Sequence, residues 1–412
     1  MGEMKKSLLF VTALSVMLCG GCQMGNNDSS TNNTSSSETP VSSSSTVDSS
    51  SSSSSSSSSV TEQLNNYQLF EHIPGENQMF DYYYNYCPTI FEEDGVRHIY
   101  YCANKLHGNV TDYVAYRSGT KDASGRWVYS EIQYVLEPTA DTWDSRHVCD
   151  PSVIKGEFKY NDEDYSYLMA YLGCVTSDNT SNEVGLAVSK TPAGPWIKLG
   201  SNPFCDYELN GNAGFQWGYG QPSLVSVDKK GQVLLFYTVG DGSSTYELVE
   251  RWNLSDLNNP VMVSDGSKRV LTRGLKNLNG TQDYISNADF AYDPSSGRIY
   301  MIKDDHPSPE GANVSSSSTI YYLEEDFENP DFYPGYTLFN VVGDAWNEMD
   351  KIDISNAGFT LNHNNGLVTD PYGWTLSTKS IDCVYTAANY SASFWGTLGS
   401  YRLYQYTMEI TE

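Results

Sequence analysis

The chain is 412 residues long and carries 51 Asp and Glu against 24 Lys and Arg, a net charge of −27 and a pI near 4.4. That balance excludes a nucleic-acid binder, whose affinity comes from Lys and Arg neutralising phosphates, and it repels an anionic membrane surface or a strongly acidic polysaccharide. Aromatic residues make up 13% of the chain and Tyr alone numbers 32, an excess that suits β-structure with stacking or packing surfaces.

Lys5 and Lys6 precede an apolar run from Leu8 to Leu18 that ends in Cys19-Gly20-Gly21-Cys22. This order of basic, apolar and small residues predicts a secretory signal, and the apolar run is too short for a mature membrane-spanning helix. The end of the run resembles a bacterial lipoprotein processing site, which implies cleavage before Cys22 and a lipid on that residue. Residues 23–64 follow as a tether. Fifteen of the twenty residues from Val41 to Val60 are Ser, which leaves no apolar surface to offset ordering entropy and predicts a flexible spacer. The expected location is outside the membrane, with the lipid anchor as the only membrane contact.

The remaining residues, 65–412, read as one domain holding nearly all of the charge. Six cysteines fall here, Cys87, Cys102, Cys149, Cys174, Cys205 and Cys383, with no C-x-x-C pair to suggest a zinc knuckle. An even number in an exported chain permits disulfides, but spacing does not give their pairing.

Five copies of one pattern run through this domain: a polar or Pro-containing start, an apolar run, a Gly turn and an aromatic-rich strand. The copies begin at Cys87-Pro88, Asp150-Pro151, Gln221-Pro222, Ala288-Asp289 and Asn364-Asn365. Taking 88, 151, 222, 289 and 365 as equivalent, each copy has room for four short strands and shows almost no helical periodicity. Five such units predict an all-β, five-bladed β-propeller with four-stranded antiparallel blades, an architecture that leaves only short, protected sheet edges. The run Tyr401–Met408 alternates strongly and is expected to complete the last blade or close the ring.

These strand starts, together with Ser189-Lys190-Thr191-Pro192-Ala193-Gly194-Pro195-Trp196, resemble the five-bladed propeller glycoside hydrolases, which include arabinanases, β-xylosidases and fructan-cleaving enzymes. The resemblance implies a central funnel ringed by the first strand of each blade. Glycoside hydrolysis needs two carboxyl groups flanking the scissile bond, and Asp150 and Asp289 are the acids at strand starts that can serve. The resemblance makes Asp150 the transition-state stabiliser or base and Asp289 the acid or pKa modulator. It puts Cys87, Gln221 and Asn287 where those enzymes carry acids, and His363 where a final-blade His approaches a central ion. Asn and Gln bond sugar hydroxyls but cannot cycle a proton.

Substrate binding is therefore assigned to His147, Gln221, Asn287 and His363, with Trp143, Trp217, Tyr219 and Trp395 as candidate sugar platforms. Asp81, Asp141 and Asp144 are alternative sources of a carboxylate, and Cys87 reads as a small buried residue. Asp304-Asp305-His306 reads as an outer turn. No Asp-x-Asp-x-Asp loop or His-Glu-x-x-His is present, so no dedicated metal site is expected, and no organic cofactor. The expected partner is a neutral furanose- or pentose-containing polysaccharide or oligosaccharide acted on by a monomer. Two readings follow: a surface-tethered glycoside hydrolase, or a glycan-binding lipoprotein without catalysis on the same fold.

Overall fold

A computed structural model of the chain describes residues 66–70, 84–105, 111–177, 180–312, 314–324, 345–352, 354, 358–391, 397 and 399–410. Cys22, Asp81, Trp395 and the whole tether lie outside the described residues.

Five inner strands, Tyr86–Glu93, His147–Tyr160, Gly218–Ser226, Asp289–Asp293 and Leu361–Thr369, each begin an antiparallel meander. Each packs against the next, and the last returns to the first. There the two inner strands pair in parallel, Ile90 opposite Val368 and Phe91 opposite Thr369. The expected five-bladed propeller is thus the fold. The expectation for the C-terminal run needed sharpening. Arg402–Glu409 is the third strand of the fifth blade, and Asn66–Gln68, from the start of the domain, is its fourth. The ring is closed by pairing Asn66 with Tyr406.

The blades hold together through five apolar clusters, one at each interface between neighbours. Alternation along the second strand of the third blade explains how. Val233, Leu235, Tyr237 and Val239 face the second blade, while Leu234 and Phe236 face the fourth. A strand buried on both faces reads as a continuous apolar run, which is why these segments stand out in the sequence. Phe236 stacks on Phe290 across the interface with ring centroids 3.9 Å apart. The Tyr excess belongs largely to the same layers: Tyr100, Tyr167, Tyr300, Tyr321 and Tyr385 are buried there.

One backbone feature repeats in every blade. Cys87, Asp150, Gln221, Asn287 and Asn364 all lie in the left-handed region, with φ between 46 and 51°. In four blades this residue and its successor form a bulge, seen as a register shift at 86/89, 149/152, 220/223 and 363/366. A bulge re-aims the strand's side chains, and a left-handed non-Gly residue costs about 1–2 kcal/mol. Five repeats of that cost identify these positions as the ring to which the fold directs side chains.

The ring corrects the alignment of the fourth copy. Ala288, not Asp289, matches Pro88, Pro151 and Pro222, and Asn287 stands where Asp150 does. Asp289 instead matches Ser152 and Ser223, whose hydroxyls accept the amides of Leu224 and Phe290 in the following blades. Asp289 does the same, accepting the amide of Leu367 at 2.8 Å. In the fifth blade this position is Gly366, where a Cβ would lie 2.0 Å from the carbonyl oxygen of Pro88. Only a residue without a side chain lets the first and fifth inner strands approach closely enough to pair.

Candidate active site

The five left-handed residues surround one group of buried side chains. Asp150 is 5% exposed. Its Oδ1 lies 3.1 Å from Cys149 Sγ and 3.4 Å from Cys102 Sγ, and its amide donates to Cys102 Sγ at 2.9 Å. Cys102 and Cys149 form a disulfide, the pairing that spacing left open, and Cys87, Cys174, Cys205 and Cys383 are buried. The disulfide ties the second strand of the first blade to the residue just before Asp150.

Burial pushes the Asp150 carboxyl up to about 7, with the charge of Asp112 adding and bonds from the Cys87 thiol and the Gln221 amide opposing. Asp289 is pushed by burial to about 6, held down by the Ser223 hydroxyl and the Leu367 and Phe290 amides. Ser223 donates to Asp289 Oδ1 at 2.6 Å. Both carboxyls, and that of Asp304, act on the Cys87 thiol and raise it further after burial has done so. Three acids therefore converge on the side chain that occupies the first blade's ring position.

Asp304 was not legible as part of this group. It ends the second strand of the fourth blade, 2% exposed, and is not in an outer turn. Asn287 Nδ2 donates to its Oδ2 at 2.9 Å, and the Asn364 amide donates to its Oδ1 at 3.1 Å. Burial lifts it to about 7. It thus joins the ring residues of the fourth and fifth blades. Glu247, 1% exposed on a third strand, is a second acid with no repeat signal. It accepts from Thr238 at 2.8 Å, and Thr238 in turn accepts the Asn287 amide. Burial drives its pKa well above the usual carboxylate range, and the charge of Asp289 adds to that.

Of the side chains assigned to substrate binding, Gln221 and His363 are buried at the ring, and Gln221 Oε1 and His363 Nε2 meet no protein partner. Asn364 Oδ1, which sequence reasoning did not single out, is in the same condition. Asn287 is spent on Asp304. His147 is buried with Nδ1 2.8 Å from Asp112 Oδ2, while its Nε2 is unpartnered. Burial lowers His363 to about 4, so its imidazole is neutral and its free nitrogen can accept or donate.

Trp217 packs against the cluster of Cys87, Cys102, Cys149 and Leu172, next to Tyr86, and so belongs to the centre. Trp143 does not. It stacks on Tyr171 at 5.6 Å, over Gly173 and Gly185, where a Cβ would come within 2.4–2.6 Å of its ring. Tyr219 packs edge-on between Tyr207 and Tyr237. Asp144 is tied to Lys198 at 2.5 Å and Asp141 is exposed, so neither joins the centre. Tyr84 and Tyr401 stack near His363, in a wall the sequence did not suggest.

Among the described residues, three ligating side chains converge only at Cys87, Cys102 and Asp150, and the disulfide removes Cys102 from that set. His363 has no carboxylate in such a set with it.

No protein-family model matches the chain, and no curated protein matches it. Among solved structures, it is similar to a family 117 glycoside hydrolase produced by the marine bacterium Zobellia galactanivorans, with 11% identity over 84% of this chain and 89% of that one and a TM-score of 0.51. A thermostable family-43 glycoside hydrolase is similar at 14% identity, covering 80% and 90%, with a TM-score of 0.49. An endo-arabinase from Bacteroides thetaiotaomicron is similar at 12% identity, covering 81% and 98%, with a TM-score of 0.46. At these identities the likeness is one of fold: the chain is a five-bladed β-propeller of the kind found in glycoside hydrolases.

Proposed function

We propose that this protein is a glycoside hydrolase acting on a neutral furanose- or pentose-containing glycan. The observation that carries the proposal is the Asp150 carboxyl, raised to about 7 amid polar atoms of Gln221, His147, His363 and Asn364 that are buried without protein partners. A buried polar atom left unpaired costs about 1–3 kcal/mol, a cost that sugar hydroxyls offset on binding.

Asp150 takes the acid role, opposite to the one the resemblance implies, because it stands at a ring position while both oxygens of Asp289 accept hydrogen bonds that favour its charged form. Asp150, at about 7, holds its proton near neutrality and donates it to the glycosidic oxygen as the bond to the anomeric carbon breaks. Burial also raises Asp289, but its donors from Ser223 and Leu367 favour the charged form. Its carboxylate stabilises the positive charge that develops on the ring. Water then attacks the anomeric carbon, its oxygen supplying the hydroxyl that replaces the leaving sugar, and its released proton returns to the Asp150 carboxylate and restores the acid. Asp304 and Glu247 hold Asn287 and Thr238 in place.

Binding without catalysis is the second reading. It is favoured by Cys87, Gln221, Asn287 and Asn364, which leave four of the five ring positions without an acid. Reducing-sugar release from a glycan panel, compared with retention of the same glycans in a pull-down, separates the two readings: release supports hydrolysis, and retention without release supports binding alone.

We further propose that the chain is exported, processed before Cys22 and lipid-anchored as a monomer, with residues 23–64 as a spacer. The sequence order from Lys5 to Cys22 supports this. Intact-mass analysis of the membrane fraction, with and without Cys22→Ala, tests it.

A further inference from the structure

A second set of reactive side chains lies where the segment leading into the fourth blade meets the end of that blade's second strand. His306 Nε2 is 2.9 Å from Ser286 Oγ, and His306 Nδ1 is 3.0 Å from Asp283 Oδ1. The other oxygen of Asp283 is held at 2.6 Å by the ammonium of Lys303, a fully buried side chain that also donates to the Asp304 carbonyl. The carboxylate is thereby fixed in rotation, and its pKa stays below the usual value: bonds and charges from His306 and Lys303 outweigh the upward pull of burial. Tyr284, 42% exposed, stacks on the imidazole at 3.8 Å and fixes its plane. Hydroxyl to Nε2 and Nδ1 to carboxylate is the arrangement by which a serine becomes a nucleophile, and it is recognised by geometry rather than by chain order.

We infer that Ser286, His306 and Asp283 form an ester-hydrolysing triad beside the funnel. Ser286 Oγ attacks the carbonyl carbon of an ester as His306 Nε2 takes its proton. The tetrahedral adduct expels the alcohol, which receives that proton, and leaves an acyl-serine. Water, deprotonated by the same nitrogen, releases the carboxylic acid and restores the hydroxyl. Asp283 orients the imidazole and balances its transient charge.

The location limits the substrate. Ser286 is 8% exposed, which admits only a small acyl group. It directly precedes Asn287, a ring residue, and the alcohol we assign on that nearness in the chain is a sugar hydroxyl, an assignment that rests on the glycan reading above. The substrate class is an O-acetylated sugar.

The test uses the full chain and 4-nitrophenyl acetate, which has no glycosidic bond, so its outcome is independent of glycan cleavage. Ser286→Ala should lower hydrolysis at least tenfold. A fluorophosphonate probe with methyl substituents, compact enough for the same opening, should add its phosphonyl mass to Ser286 of the folded wild-type protein, located by peptide mapping, as fluoride leaves. Equal ester hydrolysis in wild type and S286A, or folded wild-type protein that does not label at Ser286, overturns the inference. The labelling result requires no variant, so a folding defect cannot imitate it.

Discussion

The amide of Asp150 donates a hydrogen bond to Cys102 Sγ, 2.9 Å away. Cys102 is bonded to Cys149, the residue before Asp150, so a covalent link between blades and the proposed acid form one unit. A left-handed residue has a backbone that a sheet ladder cannot satisfy on its own, and here the disulfide sulfur accepts its donor.

Reduction, or the pair Cys102→Ala and Cys149→Ala, should therefore do two things. Closing a loop of 47 residues removes unfolded-state entropy worth about 4 kcal/mol, so the urea midpoint should fall. The pH–rate profile should also shift on its basic limb, because the surroundings of Asp150 change. A change in stability with an unmoved profile would confine the disulfide to a structural role.

Asp289 combines two duties that substitution can separate. Asp289→Ser retains an acceptor like Ser152 and Ser223 and should cost less than about 1 kcal/mol of stability, while glycan cleavage falls by two orders of magnitude or more. Asp289→Ala should lose the same activity and also about 1–3 kcal/mol, because the Leu367 amide is left unpaired. Urea unfolding of the two variants side by side checks the difference.

The pH dependence of stability has a definite sign. Asp150 has a folded pKa of about 7 against an ordinary value of 3.8. The folded state then holds a proton that the unfolded state has released across that window. Stability from this group is complete below about pH 4 and declines as pH rises to about 7, after which it is flat. Asp304 and Asp289 act in the same direction. Asp150→Asn should flatten part of the decline, by a few kcal/mol at most, in melts taken from pH 4 to 8.

Gly366 controls closure of the ring. Gly366→Ala drives a methyl into the Pro88 carbonyl at 2.0 Å, backbone that cannot swing aside, with Ile90 Cδ1 at 3.2 Å. The expected loss is about 2–4 kcal/mol, read as a lower thermal midpoint, with increased amide exchange concentrated at Ile90 and Val368.

How much of this the sequence disclosed follows from what each feature depends on. Cys87, Asp150 and Gln221 each precede a proline, and that local mark aligned three blades correctly. The fourth blade has Ala288 there, so no proline marks its register, and the acid one place along, Asp289, falls by sequence into the proline's position. Trp143 looked like a sugar platform because it stands near a strand start; its neighbours Gly173 and Gly185, which come later in the chain, turn it into packing. Asp304, Glu247 and the Ser286–His306–Asp283 set sit where strands end, and which strand ends meet is decided by the closed ring. Asn66–Gln68 pairs with Tyr404–Tyr406 across almost the whole domain, a contact with no local signal.

Glycan cleavage by wild type and Asp150→Asn tests the central claim most directly. Both proteins should fold, since Asn is tolerated in the left-handed region and occupies the equivalent position as Asn287 and Asn364. The wild type should release sugar from at least one neutral pentose- or furanose-containing glycan, and the variant should lose at least a thousandfold in rate while still retaining that glycan. A wild type that retains glycan and releases nothing, or a variant that cleaves as fast as wild type, would contradict the account.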